Sequence, residues 1–356
     1  MKNTYKISIG IIILILIAFF AFGNTNKTET SEVTIGAVLS LTGYGSSDSE
    51  NIKRGMELAK EDLLKKGTTV TIDYQDDKTD PKETVSAVRA LALKKHDAIF
   101  GPVWSYLVDA GAKSLEDSKI VAFSPSVTSE YVAPHSNTIF HGAVKNAQAM
   151  DGITKRLQEN NVMNVAVITT NGAWGDSILS VFKESSSEAG VNIIVNERVN
   201  FGDEPTTLPT IITKIKSSNA QAILWTGSEE GATTLIKKMN EQGLNIPIIG
   251  TNALDIVIKK GIVSKGGLKV YFMDSPKAVE FTNKFKAKYG VEDGSFAKEA
   301  YDGVMLIAEA KKNKSSNESI ADYLRNKTNY AGYSGTYKFD SKGDREGGEW
   351  IMTEIK

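Results

Sequence analysis

The 356-residue chain contains no cysteine. That absence removes disulfides, thiol nucleophiles, cysteine-ligated zinc and iron–sulfur clusters, and it leaves no thiol to carry a lipid anchor. Histidine is scarce: His96, His135 and His141 are the only three, and no two have metal-motif spacing. Neither charge sign is in excess. Forty-two basic and 43 acidic residues give a formal net charge of −1, which argues against a broad nucleic-acid or anionic-membrane surface. The signatures GxxxxGK(S/T), GxSxG and HExxH are all missing, as is a GxGxxG opening a helix. The nearest glycine cluster, Gly43-Tyr44-Gly45, lacks the third glycine of a dinucleotide turn. No metal, cofactor or catalytic residue is expected, and the chain reads as a non-enzyme.

What is present begins at the N-terminus. Lys2 and Lys6 precede an apolar run from Ile7 to Phe22, broken only by Ser8 and Gly10. At about 1.5 Å per residue that run spans roughly 24 Å, short of a hydrocarbon core of about 30 Å. Ala21 and Gly23 follow as small residues two apart. A basic start, an apolar middle and a small-x-small exit form a secretory signal peptide cleaved after Gly23. The alternative is an uncleaved N-terminal anchor, with Asn24–Glu32 as its polar tether. Either reading puts the body of the protein outside the cytoplasm.

The remaining composition, 41% hydrophobic and 24% charged, is that of a globular chain. Its length suits two domains at about 100–200 residues each. From Val33 onward strands and helices alternate. Val33–Leu39 is a β-branched run. Ser47 with Glu50 has the capping-box spacing ahead of a helical stripe at Ile52, Met56, Ala59 and Leu63. Val70, Ile72 and Tyr74 alternate as a strand, and Asp80-Pro81 supplies an N-cap and a first-turn proline. The same pattern restarts after His141 and runs to Ile249. Tyr337–Phe339 and Trp350–Glu354 are expected to close the fold as an antiparallel pair. Two series of βαβ units predict an α/β chain of two doubly wound, Rossmann-like lobes with a cleft between them.

Open α/β sheets place ligands at strand C-termini. Two turns there carry polar groups, Gly101-Pro102-Val103-Trp104-Ser105 and Ser124-Pro125-Ser126-Val127-Thr128. The first opens a helix, so its free N–H groups and a serine hydroxyl make a site for a small carboxylate. Ser105 could equally serve as a plain N-cap. Glu229-Glu230 starts another helix, where adjacent acids are favourable partners of the helix dipole.

At these residues the sequence resembles the type I periplasmic solute-binding proteins, specifically the leucine/isoleucine/valine-binding family of branched-chain amino acid ABC importers. The resemblance runs from about Val33 to the C-terminus. It rests on the order and spacing of Ile35-Gly36-Ala37, Leu41-Thr42-Gly43, Asp76-Asp77, Asp80-Pro81, Gly101-Pro102-Val103, Ser124-Pro125-Ser126, Tyr301-Asp302 and Gly335 to Asp344. It implies a three-strand hinge near His141, Met273 and Tyr333. Lobe one would be 33–141 plus 273–332, and lobe two 142–272 plus 333–356. It implies that Ser105 binds a ligand α-carboxylate, with Trp104 beside it. Ser126 presents backbone, Thr128 contacts the carboxylate and ammonium, and Trp174 packs on the ligand from the second lobe. Three positions depart from the pattern: Asn252 stands for the ammonium-binding glutamate, Ser228 for a second-lobe tyrosine, and Asp48 for an aromatic residue. Asp48, Glu229 or Asp255 would supply the missing negative charge, or the ligand lacks a free ammonium. The implied partners are a small polar solute and ABC permease subunits, with no nucleic acid, and with the membrane touched only through the N-terminal segment. The alternative function is a membrane-anchored, ligand-sensing ectodomain of the same fold. N-terminal sequencing of the protein isolated from its native cells separates the two: Asn24 as first residue marks export and cleavage, whereas Met1 or Lys2 marks an anchor.

Overall fold

The computed structural model describes residues 31–355 apart from 131, 133–135, 201–202, 251–253, 255–256, 258–259, 276 and 348. His135, Asn252, Asp255 and the whole N-terminal segment lie outside the described residues. Among those described, no helix is long and apolar enough to cross a membrane.

Two sheets organise the chain. The first consists of β1 (Ser31–Leu39), β2 (Thr68–Asp76), β3 (Ala98–Phe100), β4 (Val121–Ser124) and β5 (Ile139–His141), all parallel in the order β2-β1-β3-β4-β5. Helices α1 (Ser46–Lys65), α2 (Pro81–Ala92) and α3 (Ser105–Ser118) connect them. The second sheet takes β6 (Asn164–Thr170), β7 (Asn192–Val199), β8 (Ala222–Thr226), β9 (Ile248–Gly250), β10 (Leu268–Asp274) and β14 (Glu349–Ile355) in the order β14-β10-β9-β8-β6-β7. Only β14 runs antiparallel in it. Its helices are α4 (Asn146–Glu159), α5 (Ala173–Glu188), α6 (Glu204–Lys216) and α7 (Glu229–Gln242). The chain then returns to the first lobe through α8 (Ala278–Tyr289), α9 (Ala297–Asn313) and α10 (Ile320–Lys327). A small antiparallel sheet follows, formed by β11 (Tyr330–Gly332), β12 (Gly335–Phe339) and β13 (Arg345–Glu346).

Local chemistry accounts for most of these elements. Parallel strands are covered on both faces, and β1 accordingly buries Val33, Ile35, Ala37, Val38 and Leu39 completely. The stripe Ile52, Met56, Ala59 and Leu63 faces the core, as its spacing predicts. Asp80 caps α2 by accepting from Lys82 N at 2.8 Å and Glu83 N at 3.1 Å, with Pro81 in the first turn. The capping box expected at Ser47 and Glu50 does not form. Gly45 is the N-cap of α1 and makes no side-chain cap bond, while Glu50 pairs with Arg54 one turn on, at 2.9 Å. A true capping box stands at Ser319 and Asp322, at the start of α10.

Each sheet lies between two apolar clusters. Phe100, Phe123 and Phe140 of the first sheet share one cluster with Phe281, Phe285, Tyr301, Leu324, Tyr337 and Phe339. Full burial of each such ring contributes about 1.5–3 kcal/mol, which ties α8–α10 and β12 to the first lobe. The expected division placed 333–356 with the second lobe. The alternating inward side chains Tyr337 and Phe339 instead pack in the first, and only β14 joins the second sheet. For the same reason the expected pairing of Tyr337–Phe339 with Trp350–Glu354 is replaced. β12 pairs with β11 and β13, and β14 pairs with β10.

The chain therefore crosses between lobes at 142–145, again between the end of β10 at Asp274 and the start of α8 at Ala278, and a third time between β13, ending at Glu346, and β14, starting at Glu349. His141 ends β5 at the first crossing, and Met273, opposite Trp350, lies next to the second. Tyr333 is not at a crossing. It sits in the β11–β12 turn, donates from its backbone N to Asp302 Oδ1 at 2.9 Å, and packs its ring on Phe281 and Tyr301.

A buried ionic cluster joins the first and third crossings. His141 Nδ1 lies 2.6 Å from Asp344 Oδ1, and Lys145 Nζ reaches Asp344 at 2.9 Å and the Ser129 carbonyl at 2.7 Å. Arg345 donates to the carbonyls of Gly142 and Ser334, each at 2.9 Å. Burial, aided by Lys145, pushes the His141 pKa below its ordinary 6.5 despite Asp344 and Asp340 nearby. A histidine held neutral in the fold binds fewer protons than its unfolded counterpart, so its contribution falls away as the pH drops below about 6.5. We expect the thermal midpoint of wild type to fall more steeply between pH 7 and pH 5 than that of His141→Gln. Parallel curves would show that His141 is not the titrating group.

Candidate functional site

In both sheets the strand order reverses next to a central strand, and the loops leaving the flanking strand ends diverge there. In the first sheet the reversal lies between β1 and β3, and in the second between β6 and β8. Asp48 and Ser105 follow β1 and β3, and Trp174 and Ser228 follow β6 and β8, while Ser126 and Thr128 follow β4, one strand farther along the first sheet.

On the first lobe, the loop after β1 is held by acids from the end of β2. Asp76 accepts from Thr42 Oγ1 at 2.6 Å and Thr42 N at 3.2 Å, and the buried Asp77 accepts from Ser40 Oγ at 2.6 Å. Thr79 Oγ1 takes the N–H of Gly45 at 3.0 Å. The markers Thr42, Asp76 and Asp77 thus shape the loop. A side chain at Gly45 would come within 2.5 Å of Trp104 Nε1, so the indole of Trp104 lies where that side chain would be.

The turn after β3 is pinned from β4 and its following loop. Ser124 Oγ donates to the Pro102 carbonyl at 2.7 Å, and Ser126 Oγ to the Val103 carbonyl. The serine side chains hold the turn in place, and Ser105 begins α3 behind it. Trp104, not Ser105, is the N-cap, it makes no side-chain cap bond, and no acid lies in the first turn. No acid of its own first turn offsets the positive end of the α3 dipole, and Ser105 stands in that turn.

On the second lobe, Trp174 lies in the first turn of α5. It needs Gly175 next to it: a Cβ there would meet the Thr170 carbonyl oxygen at 1.9 Å. The indole packs beside the second-lobe cluster and donates from Nε1 to Thr128 Oγ1 of the first lobe at 3.0 Å. Ser228 caps α7, accepting from Gly231 N at 2.8 Å and donating to Glu204 Oε1 at 2.7 Å. Tyr44 comes across from the first lobe with its hydroxyl against Ser228, although the residue is 55% exposed overall. Burial of that hydroxyl, with Glu230, Glu204 and Asp48 around it, pushes its pKa above the ordinary 10. Asp48 is pushed up to about 6, first by burial and then by Glu229 and Glu230 of the opposite lobe. Glu229 itself forms an ion pair with Lys260.

The structure thus brings Thr128 and Trp174 into contact and sets Asp48 opposite Glu229. It places Ser105, Ser126 and Trp104 around one turn, and holds Ser228 on the facing wall. Three participants escaped sequence reasoning. Tyr44 looked only like part of an incomplete glycine motif, and neither Glu204 nor Glu130 carried any signal. A buried carboxylate such as Glu204, 2% exposed, is recognisable only once its partner Ser228 is placed. Among the described residues no group of three metal-ligating side chains converges.

Comparison with known proteins gives a consistent picture. The sequence profile of the periplasmic binding protein family matches residues 32–356. The chain is 23% identical over 353 residues to the Leu/Ile/Val-binding protein homolog 2 of Brucella abortus, covering 95% of this chain and 94% of that one. The fold is similar to that of the branched-chain amino acid transporter substrate-binding protein LivJ of Streptococcus pneumoniae in complex with isoleucine. The TM-score is 0.78 and the identity 22%, covering 91% of this chain and all of that one. It is similar too to an ABC transporter solute-binding protein of R. palustris in complex with benzoate. There the TM-score is 0.81 and the identity 20%, covering 92% and 94% of the two chains.

The Ser228 network generates a stability prediction. Ser228→Ala removes the α7 cap and one donor to buried Glu204, which should lower the unfolding free energy by about 1–2 kcal/mol. A urea denaturation midpoint equal to that of wild type would show that the cap contributes nothing.

Proposed function

This chain belongs to the periplasmic binding protein family, and on that premise we propose that it captures a small solute bearing a carboxylate between its two lobes. The family consists of solute-binding proteins of ABC transporters, not enzymes, and no bond is made or broken on the protein. An amino acid of the branched-chain type or a related amide or carboxylate is the range the resemblance implies, and within it we infer the carboxylate-bearing members. Isoleucine and benzoate, bound by the two similar proteins above, have the carboxylate in common and differ in the ammonium.

The observation that carries this reading is the N-terminus of α3, which has no side-chain cap and no acid in its first turn, with Ser105 in that turn. Such a terminus offers N–H donors and a positive partial charge, which suits one carboxylate. Ser126 keeps the turn in shape while its backbone faces the ligand, and Thr128 adds a hydroxyl. Trp174 closes over the apolar part of the solute from the second lobe, where its ring supplies area and a face for a cation. Tyr44, reaching Ser228 from the first lobe, supplies an aromatic group beside the position where the resemblance calls for a second-lobe tyrosine. Asp48 and Glu230 lie on the same side, where a ligand ammonium would be neutralised. Glu229 is already paired with Lys260. Closure around the ligand presents both lobes to an ABC permease, and the three crossings act as the hinge.

A thermal-shift screen of amino acids, their amides, and aliphatic and aromatic carboxylates tests the ligand class. Carboxylates should raise the midpoint and their amides should not. Ser105→Ala should weaken the best carboxylate by about 1–3 kcal/mol in calorimetry, because a buried charge loses a donor. An unchanged affinity would take Ser105 out of the site.

A further inference from the structure

Three consecutive residues of a first-lobe loop are bonded to three consecutive residues at the start of a second-lobe helix. The loop follows β4 and is rooted in the first lobe by Val127 and Val132, both buried in its core. The helix is α4, the first element beyond the first crossing. Thr128 O accepts from Asn146 N at 2.8 Å. Ser129 O accepts from Lys145 Nζ at 2.7 Å. Glu130 Oε1 accepts from Ala147 N at 2.7 Å, which satisfies an N–H that the first turn of a helix otherwise leaves open.

The Glu130 carboxylate does more than cap α4. Its second oxygen accepts from Ser177 Oγ on α5, and its own backbone N–H donates to the same hydroxyl at 3.3 Å. Asn146 Nδ2 donates to Ser177 Oγ at 3.2 Å. Ser177 is fully buried, and with these bonds both its lone pairs and its proton are used. One first-lobe side chain thereby bonds to two second-lobe helices. Two residues before it, Thr128 holds the indole of Trp174.

We propose that Thr128–Glu130 is a strap holding the lobes closed, and that Glu130 is its positioning residue. The carboxylate suits this task. It is a charged acceptor at the positive end of α4, and charged acceptors make stronger hydrogen bonds than neutral ones. The strap is continuous with Ser126 and Thr128, so a ligand seated on those residues is in direct covalent sequence with the group that grips the second lobe. Occupancy of the cleft and closure are thus linked through the five residues Ser126–Glu130. Glu130 touches no ligand; it acts by fixing where the second lobe rests. The inference rests on the two-lobe capture reading, but its test requires no ligand.

Because the chain has no cysteine, two introduced ones are unique labels. Lys82→Cys at the start of α2 and Thr206→Cys at the start of α6 are exposed and lie one on each lobe. Spin labels at these positions report the interlobe distance distribution in the ligand-free protein by pulsed electron resonance. Glu130→Ala and Ser177→Ala should each shift weight from the short to a longer distance, lowering the closed-to-open ratio by about fivefold or more. Glu130→Gln, which keeps an oxygen acceptor for Ala147 N, should retain most of the short component. Distributions equal to wild type in both alanine variants would overturn the strap. So would a fall in thermal midpoint in both with no longer component, which would make the contacts purely structural. If the distances shift as expected while no carboxylate binds in the thermal-shift screen, the strap stands and the capture reading fails.

Discussion

The structure depends on one constraint: two parallel sheets reverse their strand order at points that face each other. Parallel strands end in loops on one side of the sheet only, and a reversal spreads two adjacent loops apart. The ends of β1 and β3 make one such opening and the ends of β6 and β8 the other. The polar groups of the cleft come from those loops, at Tyr44, Asp48, Ser105, Trp174 and Ser228. The apolar clusters on both faces of each sheet hold the strands in that order.

Burial at the lobe boundary is handled by pairing. His141, Lys145, Asp344 and Arg345 join two crossings through short ionic and backbone contacts. Asp302, pushed up to about 6 by burial, accepts from two backbone N–H groups and the Ser334 hydroxyl in the β11–β12 turn. Lone buried charges would cost several kcal/mol each, whereas networks in which each proton and lone pair finds a partner are tolerated and fix one geometry. The cleft differs. There Asp48, Glu229 and Glu230 lie close together across the lobes, with Glu229 paired to Lys260. At the crossings each charged group has a partner, whereas the cleft keeps a cluster of acids.

Much of the fold was legible in the chain. The β1 run, the α1 stripe and the Asp80-Pro81 start of α2 are local patterns with local causes, and each formed where its pattern lies. The turns at Gly101–Ser105 and Ser124–Thr128 were recognisable because strand ends followed by glycine, serine and proline have few other uses. What was not legible is non-local. Glu50 has the spacing of a capping box with Ser47, yet it pairs with Arg54. Tyr337–Phe339 looks like a partner for the last strand, yet its inward side chains belong to the first core. Tyr333 looked like a hinge residue, yet its ring and backbone are anchored on Phe281, Tyr301 and Asp302.

The sequence by itself determined the alternation of strand and helix, the two-lobed α/β class, the family, and the turns at Gly101–Ser105 and Ser124–Thr128. The alternation, the class and the turns follow from periodicity and turn chemistry, which act over a few residues, and the family from the order and spacing of motifs along the whole chain. Only the tertiary structure decided which strands are neighbours, where the chain crosses between lobes, and which side chains meet across the cleft. Tyr44 against Ser228, Ser228 against Glu204, and Glu130 against Ser177 join residues far apart in the chain. Their pairing is set by sheet order and by the packing of whole lobes, and no short window of sequence contains either.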